Sequence, residues 1–145
     1  MSTPSLTPTV AQCVDALARI ESNNYPLAWG DYLDSAGTPT GHPDPAAAVE
    51  AGFLPQAMGR WQVHPDALDY WANILNLYAA LDETWDGYVG RIVTSMFGTY
   101  TSKRSPVEIA MRWHVGHWVS PGASGWDDTY ADKFTAALAA ITAGG

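Results

Sequence analysis

The chain has 145 residues and a formal charge of −8, with seven basic residues against fifteen acidic ones. That length suits one domain with a core of its own, and an apolar share of 47% against 15% charged excludes a disordered chain. Scattered basic residues and an acidic balance argue against a nucleic-acid partner, and no apolar run reaches the length of a membrane span.

Residues 1–6 read as a flexible N-terminal tail. The opening MSTPSLTPTV has neither a basic region nor an apolar run, so no secretory signal is expected and the chain is expected to be made in the cytoplasm. Thr7 and Pro8 predict an N-cap and first position for a helix that runs to Ser22. Within it Val10, Val14 and Leu17 recur at spacings of four and three, and Glu21 continues the series four residues on. A carboxylate in line with core positions is costly when ionised, so burial should raise its pKa towards neutrality, the state a general acid needs. A helix that ends here and turns Glu21 to solvent is the other reading. Cys13 has no disulfide partner and falls among apolar positions, which predicts a buried, inert thiol.

From Asn23 to Pro43 no period is sustained, and so long a loop inside a compact domain is commonly functional. Asp44 and Pro45 open a short Ala-rich helix that Gly52 ends. The stretch FLPQAMGRWQVHP reads as a turn or a short extended piece. A helical stripe follows from Pro65 to Asn76 through Leu68, Trp71, Ile74 and Leu75. Another runs from Thr84 to Phe97 through Trp85, Tyr88, Val89, Ile92, Val93 and Met96, with Gly98 as its C-cap. Gly87 and Gly90 weaken that helix but permit another backbone to approach closely. Ser105-Pro106-Val107-Glu108 is a capping box that opens a helix stopping near Gly116. A Pro/Gly/Ser loop over Ser120–Gly125 leads to a last helix over Asp128–Ile141, with Asp127 and Asp128 suiting its dipole. The sum is five or six helices with little strand, hence an all-α, mainly α, single domain over 1–145. Seven Trp and seven Tyr exceed what the core needs and suit a cleft that stacks on amphipathic ligands such as sugars.

Three blocks then fall in a recognisable order: Glu21-Ser22; Gln56-Ala57-Met58-Gly59-Arg60-Trp61-Gln62-Val63; and Ala110-Met111-Arg112-Trp113-His114-Val115-Gly116. Together they resemble the lysozyme-like transglycosylases, whose pattern is ES, then GAxGLMQ, then AxxYNAG. Ala57, Gly59 and Gln62 match the second block, and Ala110 and Gly116 the third. Trp113 and His114 stand in place of Tyr and Asn. Trp29-Gly30-Asp31 and Asp128-Thr129-Tyr130-Ala131-Asp132 are similar to two segments of goose-type lysozyme. The resemblance spans roughly Ala16 to Leu138.

The resemblance implies a lysozyme-like fold around a substrate cleft and cleavage of the β-1,4 bond between N-acetylmuramic acid and N-acetylglucosamine in peptidoglycan. Glu21 would be the general acid. Ser22, Gln62, Trp61, Trp113 and His114 would face substrate, with the Gln62 amide suiting N-acetyl and hydroxyl groups. A surface Gln62 and a core Trp61 are the alternatives. Trp113 keeps an aromatic plane without a hydroxyl, and His114 adds a group that titrates near neutrality.

A hydrolase also needs a base or nucleophile. Asp31 is the candidate, with Asp34 and Asp44 nearby and a turn-forming role as its alternative. His64 occupies the position where goose-type enzymes carry a second acid. A lytic transglycosylase needs no such partner, because the substrate's own N-acetyl group and C6 hydroxyl close a 1,6-anhydro ring. His114 and His117 share a helix face, but nothing in the spacing brings His42 and His64 to them, so no metal site and no cofactor are expected. A monomer is expected.

The charge of −8 forfeits electrostatic attraction to an anionic wall. Delivery by a virus particle or secretion apparatus, or work in acid or high salt, would compensate. The expectation is a phage-type lysin or virion-associated muramidase with an acid-shifted optimum. The rival expectation is a glycan-binding or structural protein that keeps the fold without activity, which the altered Tyr-Asn pair favours.

Overall fold

A computed structural model describes residues 7–23, 57 and 59–144 of the chain. These residues are mainly helical, with five helices: α1 (Val10–Ser22), α2 (Pro65–Leu75), α3 (Trp85–Tyr100), α4 (Pro106–Val115) and α5 (Asp128–Ala143). The all-α architecture read from the apolar periodicity is the one observed. The Ala-rich helix expected over Asp44–Gly52, and Asp31, Asp34 and Asp44 with it, lie outside the described residues, as does the tail over 1–6.

Most boundaries follow from local chemistry. Thr84, Ser105 and Asp127 each cap the helix that follows by accepting from a backbone N–H in its first turn. Ser105 and Glu108 complete the expected capping box, and Gly116 ends α4 at φ 87°. Two expectations are corrected. The first helix is capped by Thr9, not Thr7, because Thr9 and Gln12 form a reciprocal capping box that Thr7 has no partner to form. Gly98 does not end α3, which continues to Tyr100, since its φ is not forced positive and the chain beyond supplies further helical bonds.

Helix α3 is the centre of the packing. Val89, Ile92, Val93, Met96 and Phe97 are all buried at the spacing of one helical face, and α3 contacts α1, α2 and α4. Helix α5 packs on α1 and α4. Phe97 of α3 and Phe134 of α5, both fully buried, lie with parallel rings 6.3 Å apart. Cys13 is buried in α1, and burial pushes its thiol up to about 11, which leaves it unreactive near neutrality. Among the described residues no helix is long and apolar enough to cross a membrane. This packing brings the C-terminal ends of α1 and α4 to the N-terminal end of α5.

Candidate active site

Leu17 is fully buried one turn before Glu21, so the stripe that anchors α1 carries the carboxylate into the protein's flank. Asn23, in the left-handed conformation at φ 53°, ends the helix immediately afterwards. Glu21 is half-buried there. Burial raises its pKa above the ordinary carboxylate value, opposed by a hydrogen bond from Tyr130 and by the charge of His114. The solvent-facing reading of Glu21 does not apply.

The bond from Tyr130 is short: its hydroxyl donates to Glu21 Oε1 at 2.5 Å. Tyr130 is buried in the first turn of α5, where Asp127 Oδ1 accepts from its backbone N–H at 3.0 Å. Burial, and then the neighbouring Glu21 charge, push the phenol far above its ordinary value, so it stays a donor at any working pH. His114, at the end of α4, lies flat on Tyr130 with ring centres 3.8 Å apart and planes 4° from parallel. Its Nε2 is 3.1 Å from Asp127 Oδ2. Backbone capping of Tyr130 and the His114 contact hold the Asp127 carboxyl below its usual range. Glu21, Tyr130, His114 and Asp127 thus form one connected group built from three helix ends.

Sequence reasoning placed Glu21 and His114 in the site and missed Tyr130 and Asp127. Both stood in or beside the goose-type echo over Asp128–Asp132, but a Tyr three residues past a cap gives no signal of what it faces. That depends on how α5 lies against α1.

Gln62 closes the turn over Gly59–Gln62 at φ 50°, its side-chain amide donating to the Gly59 carbonyl at 2.9 Å. With His64, Trp71, Trp113, His114 and Gly116 it lines a pocket of about 270 Å³. Gln62, Trp113 and His114 therefore share one concave surface.

Ser22 and Trp61 are corrections. The Ser22 hydroxyl donates to the Arg60 carbonyl at 2.7 Å, tying the end of α1 to the Gly59–Gln62 turn, so its donor is spent on the scaffold. Trp61 is only 6% exposed, and its indole N–H donates to the Val14 carbonyl at 2.9 Å. Its ring edge comes so near Gly90 that a Cβ there would lie 3.1 Å from it. Trp61 is a core residue, because the glycine of α3 leaves it a slot. Trp113 is half-buried, donates to the Trp61 carbonyl at 2.8 Å and stacks on Trp71 at 6.3 Å. It links the second and third sequence blocks while keeping one side in the pocket. A larger hollow of about 610 Å³, lined by Val14, Leu77, Gly90 and Thr94 among others, also includes Arg91. That arginine is held by Glu83 at 2.6 Å, which leaves the hollow without a free acid or base among the described residues.

No protein-family model, curated protein or solved structure matches the chain.

Proposed function

We propose that the chain cleaves the β-1,4 bond between N-acetylmuramic acid and N-acetylglucosamine in peptidoglycan, on a lysozyme-like fold, with Glu21 as general acid. The observation that carries this reading is the half-buried Glu21 carboxyl held by the Tyr130 hydroxyl at 2.5 Å. Burial keeps the carboxyl protonated to higher pH, and the bond from Tyr130 fixes which oxygen is free to act.

Glu21 gives its proton to the glycosidic oxygen as the C1–O bond breaks and positive charge grows at C1. Its anion, once formed, is favoured by the Tyr130 donor and by the neighbouring His114. The charge at C1 is then relieved either by water, with a carboxylate such as Asp31 taking its proton, or by the substrate's own C6 hydroxyl, whose proton the Glu21 carboxylate takes back. The first outcome makes the chain a muramidase and the second a lytic transglycosylase. The acidic balance fits a protein brought to the wall by a virus particle or secretion apparatus rather than drawn to it by charge.

The test is clearing of purified cell wall by the wild type and by Glu21→Gln, followed by mass spectrometry of the products. Clearing by the wild type alone is the expected result. Ends bearing 1,6-anhydromuramic acid select the transglycosylase and reducing ends the muramidase. Equal clearing by both chains removes Glu21 from the mechanism. Binding without clearing by either selects a glycan-binding protein, a reading that Trp113 and His114 in place of a Tyr-Asn pair favour.

A further inference from the structure

Five arginines lie among the described residues, and four have a carboxylate. Arg19 pairs with Asp15, Arg60 with Asp86, Arg91 with Glu83 and Arg104 with Glu108. Arg112 is the most buried of the five at 8% exposure, and among the described residues no acid pairs with it. Its Nε is sealed from solvent without a hydrogen-bond partner. The surroundings are aromatic. The guanidinium carbon lies 4.8 Å from the ring centre of Trp71, 5.5 Å from Tyr70 and 5.9 Å from Trp118.

Ring faces attract a cation, but they do not accept the in-plane fork of N–H groups that a guanidinium presents. A buried charge without a counter-ion is strongly unfavourable, and among the described residues this arginine alone has no paired acid. Arg104, which Glu108 offsets, touches the same aromatic wall, its guanidinium carbon lying 4.6 Å from the Trp118 ring. Arg112 also lines a pocket of about 310 Å³ with Ala67, Tyr70, Trp71, Trp113 and Gly116. Ala67, Trp71, Trp113 and Gly116 are shared with the pocket beside His114, so the two adjoin along one wall.

We propose that the aromatic-walled Arg112 pocket binds a carboxylate, and that on the substrate this is a carboxylate of the peptide carried by the glycan strand. The second half rests on the glycosidase reading above. Peptidoglycan bears short acidic peptides on its muramic acid lactyl groups. A sugar seated beside Glu21 and His114 would lead such a peptide along the shared wall towards Arg112. The carboxylate would satisfy the guanidinium fork, which an amide of the same shape does not.

The first experiment needs no sugar. N-acetyl-D-alanine and N-acetyl-D-alaninamide are titrated into the wild-type chain, followed by tryptophan fluorescence and indole N–H shifts in NMR spectra. The acid is expected to move the Trp71 and Trp118 signals and the amide to leave them in place. Arg112→Met should abolish the response, and Arg112→Lys should weaken it about tenfold by losing the fork. Equal behaviour of acid and amide on the wild-type chain overturns the pocket, whether or not the Met variant folds.

The second experiment uses the Glu21→Gln chain with three ligands: a disaccharide-tetrapeptide, its carboxyl-amidated form and glycan stripped of peptide. The free-acid form should bind about tenfold tighter than the other two, a difference absent when Arg112→Lys or Arg112→Met is added. Equal binding of all three overturns the peptide assignment and leaves a site for free carboxylates. Response to the acid with no binding of any glycan sinks the glycosidase reading while the carboxylate pocket stands.

Discussion

The Tyr130 hydroxyl donates to Glu21 Oε1 at 2.5 Å, joining the first turn of α5 to the last turn of α1 across 109 positions of sequence. Two opposed effects meet at that contact. Desolvation favours the neutral carboxyl and is the larger, while the phenol favours the anion. Because Tyr130 cannot ionise in this setting, it holds the carboxyl in both protonation states. Its own position is fixed by the Asp127 cap and by the His114 ring lying flat on it.

Tyr130→Phe should therefore change both rate and pH dependence. Removing a donor that favours the anion raises the Glu21 pKa further, so the alkaline limb of wall clearing should move to higher pH. The freed carboxyl should lower the maximal rate about ten- to a hundredfold, the scale of a misplaced catalytic group. A pH–rate profile beside that of the wild type checks both. An unchanged alkaline limb would mean that the phenol does not act on Glu21.

Glu21 also makes a prediction independent of activity. Its folded pKa lies above the unfolded value of about 4.3, so the native state binds the extra proton between the two. Stability must then fall as pH rises from the unfolded value to the folded one, and stay lowered beyond it. Glu21→Gln removes the charge and can still accept from Tyr130. It should melt higher than the wild type at neutral pH and together with it near pH 4. Thermal melts at a series of pH values decide this, and coincident melting throughout would contradict the burial.

Trp113→Phe leaves an aromatic ring to stack on Trp71 and deletes the N–H that donates to the Trp61 carbonyl at 2.8 Å. Leaving that carbonyl of a buried residue unpartnered should cost about 1–3 kcal/mol, measured as a lowered urea midpoint. No loss would return Trp113 to a purely substrate-facing role.

The glycines of α3 should respond in opposite directions. A Cβ at the exposed Gly98 meets nothing within 4 Å, so Gly98→Ala should stabilise by about 0.5–1 kcal/mol through helix propensity. At Gly90 the Cβ would come within 3.1 Å of the Trp61 ring, which the Val14 carbonyl pins from its other side. Gly90→Ala should lose that gain and lower stability. Paired denaturation curves test the contrast.

Local signals carried most of the element boundaries. The Ser105–Glu108 box, the Gly116 stop and the stripe through Val89, Ile92, Val93 and Met96 depend on neighbours within two turns, so they are legible in sequence order. The cap fell at Thr9 rather than Thr7 because Thr9, two residues on, offers the same hydroxyl with Gln12 as partner, and Gly98 did not end α3 because nothing there forces a positive φ. Glu21 was legible for the same reason, since its place on the stripe is set by Leu17 four residues earlier.

What the sequence by itself determined was which residues form helices and that one of them carries a carboxylate on its apolar face. Only the tertiary structure decided what that carboxylate meets. Tyr130 reaches Glu21 because α5 packs on α1, and Trp61 is core rather than cleft because Gly90 of α3 leaves room for its ring. Arg112 likewise comes to lie among aromatic rings, with no paired acid among the described residues, only when α2 and α4 come together. Helical periodicity is a property of neighbours along the chain. Desolvation, hydrogen-bond partnership and the lack of a counter-ion are properties of neighbours in space, which no local pattern encodes.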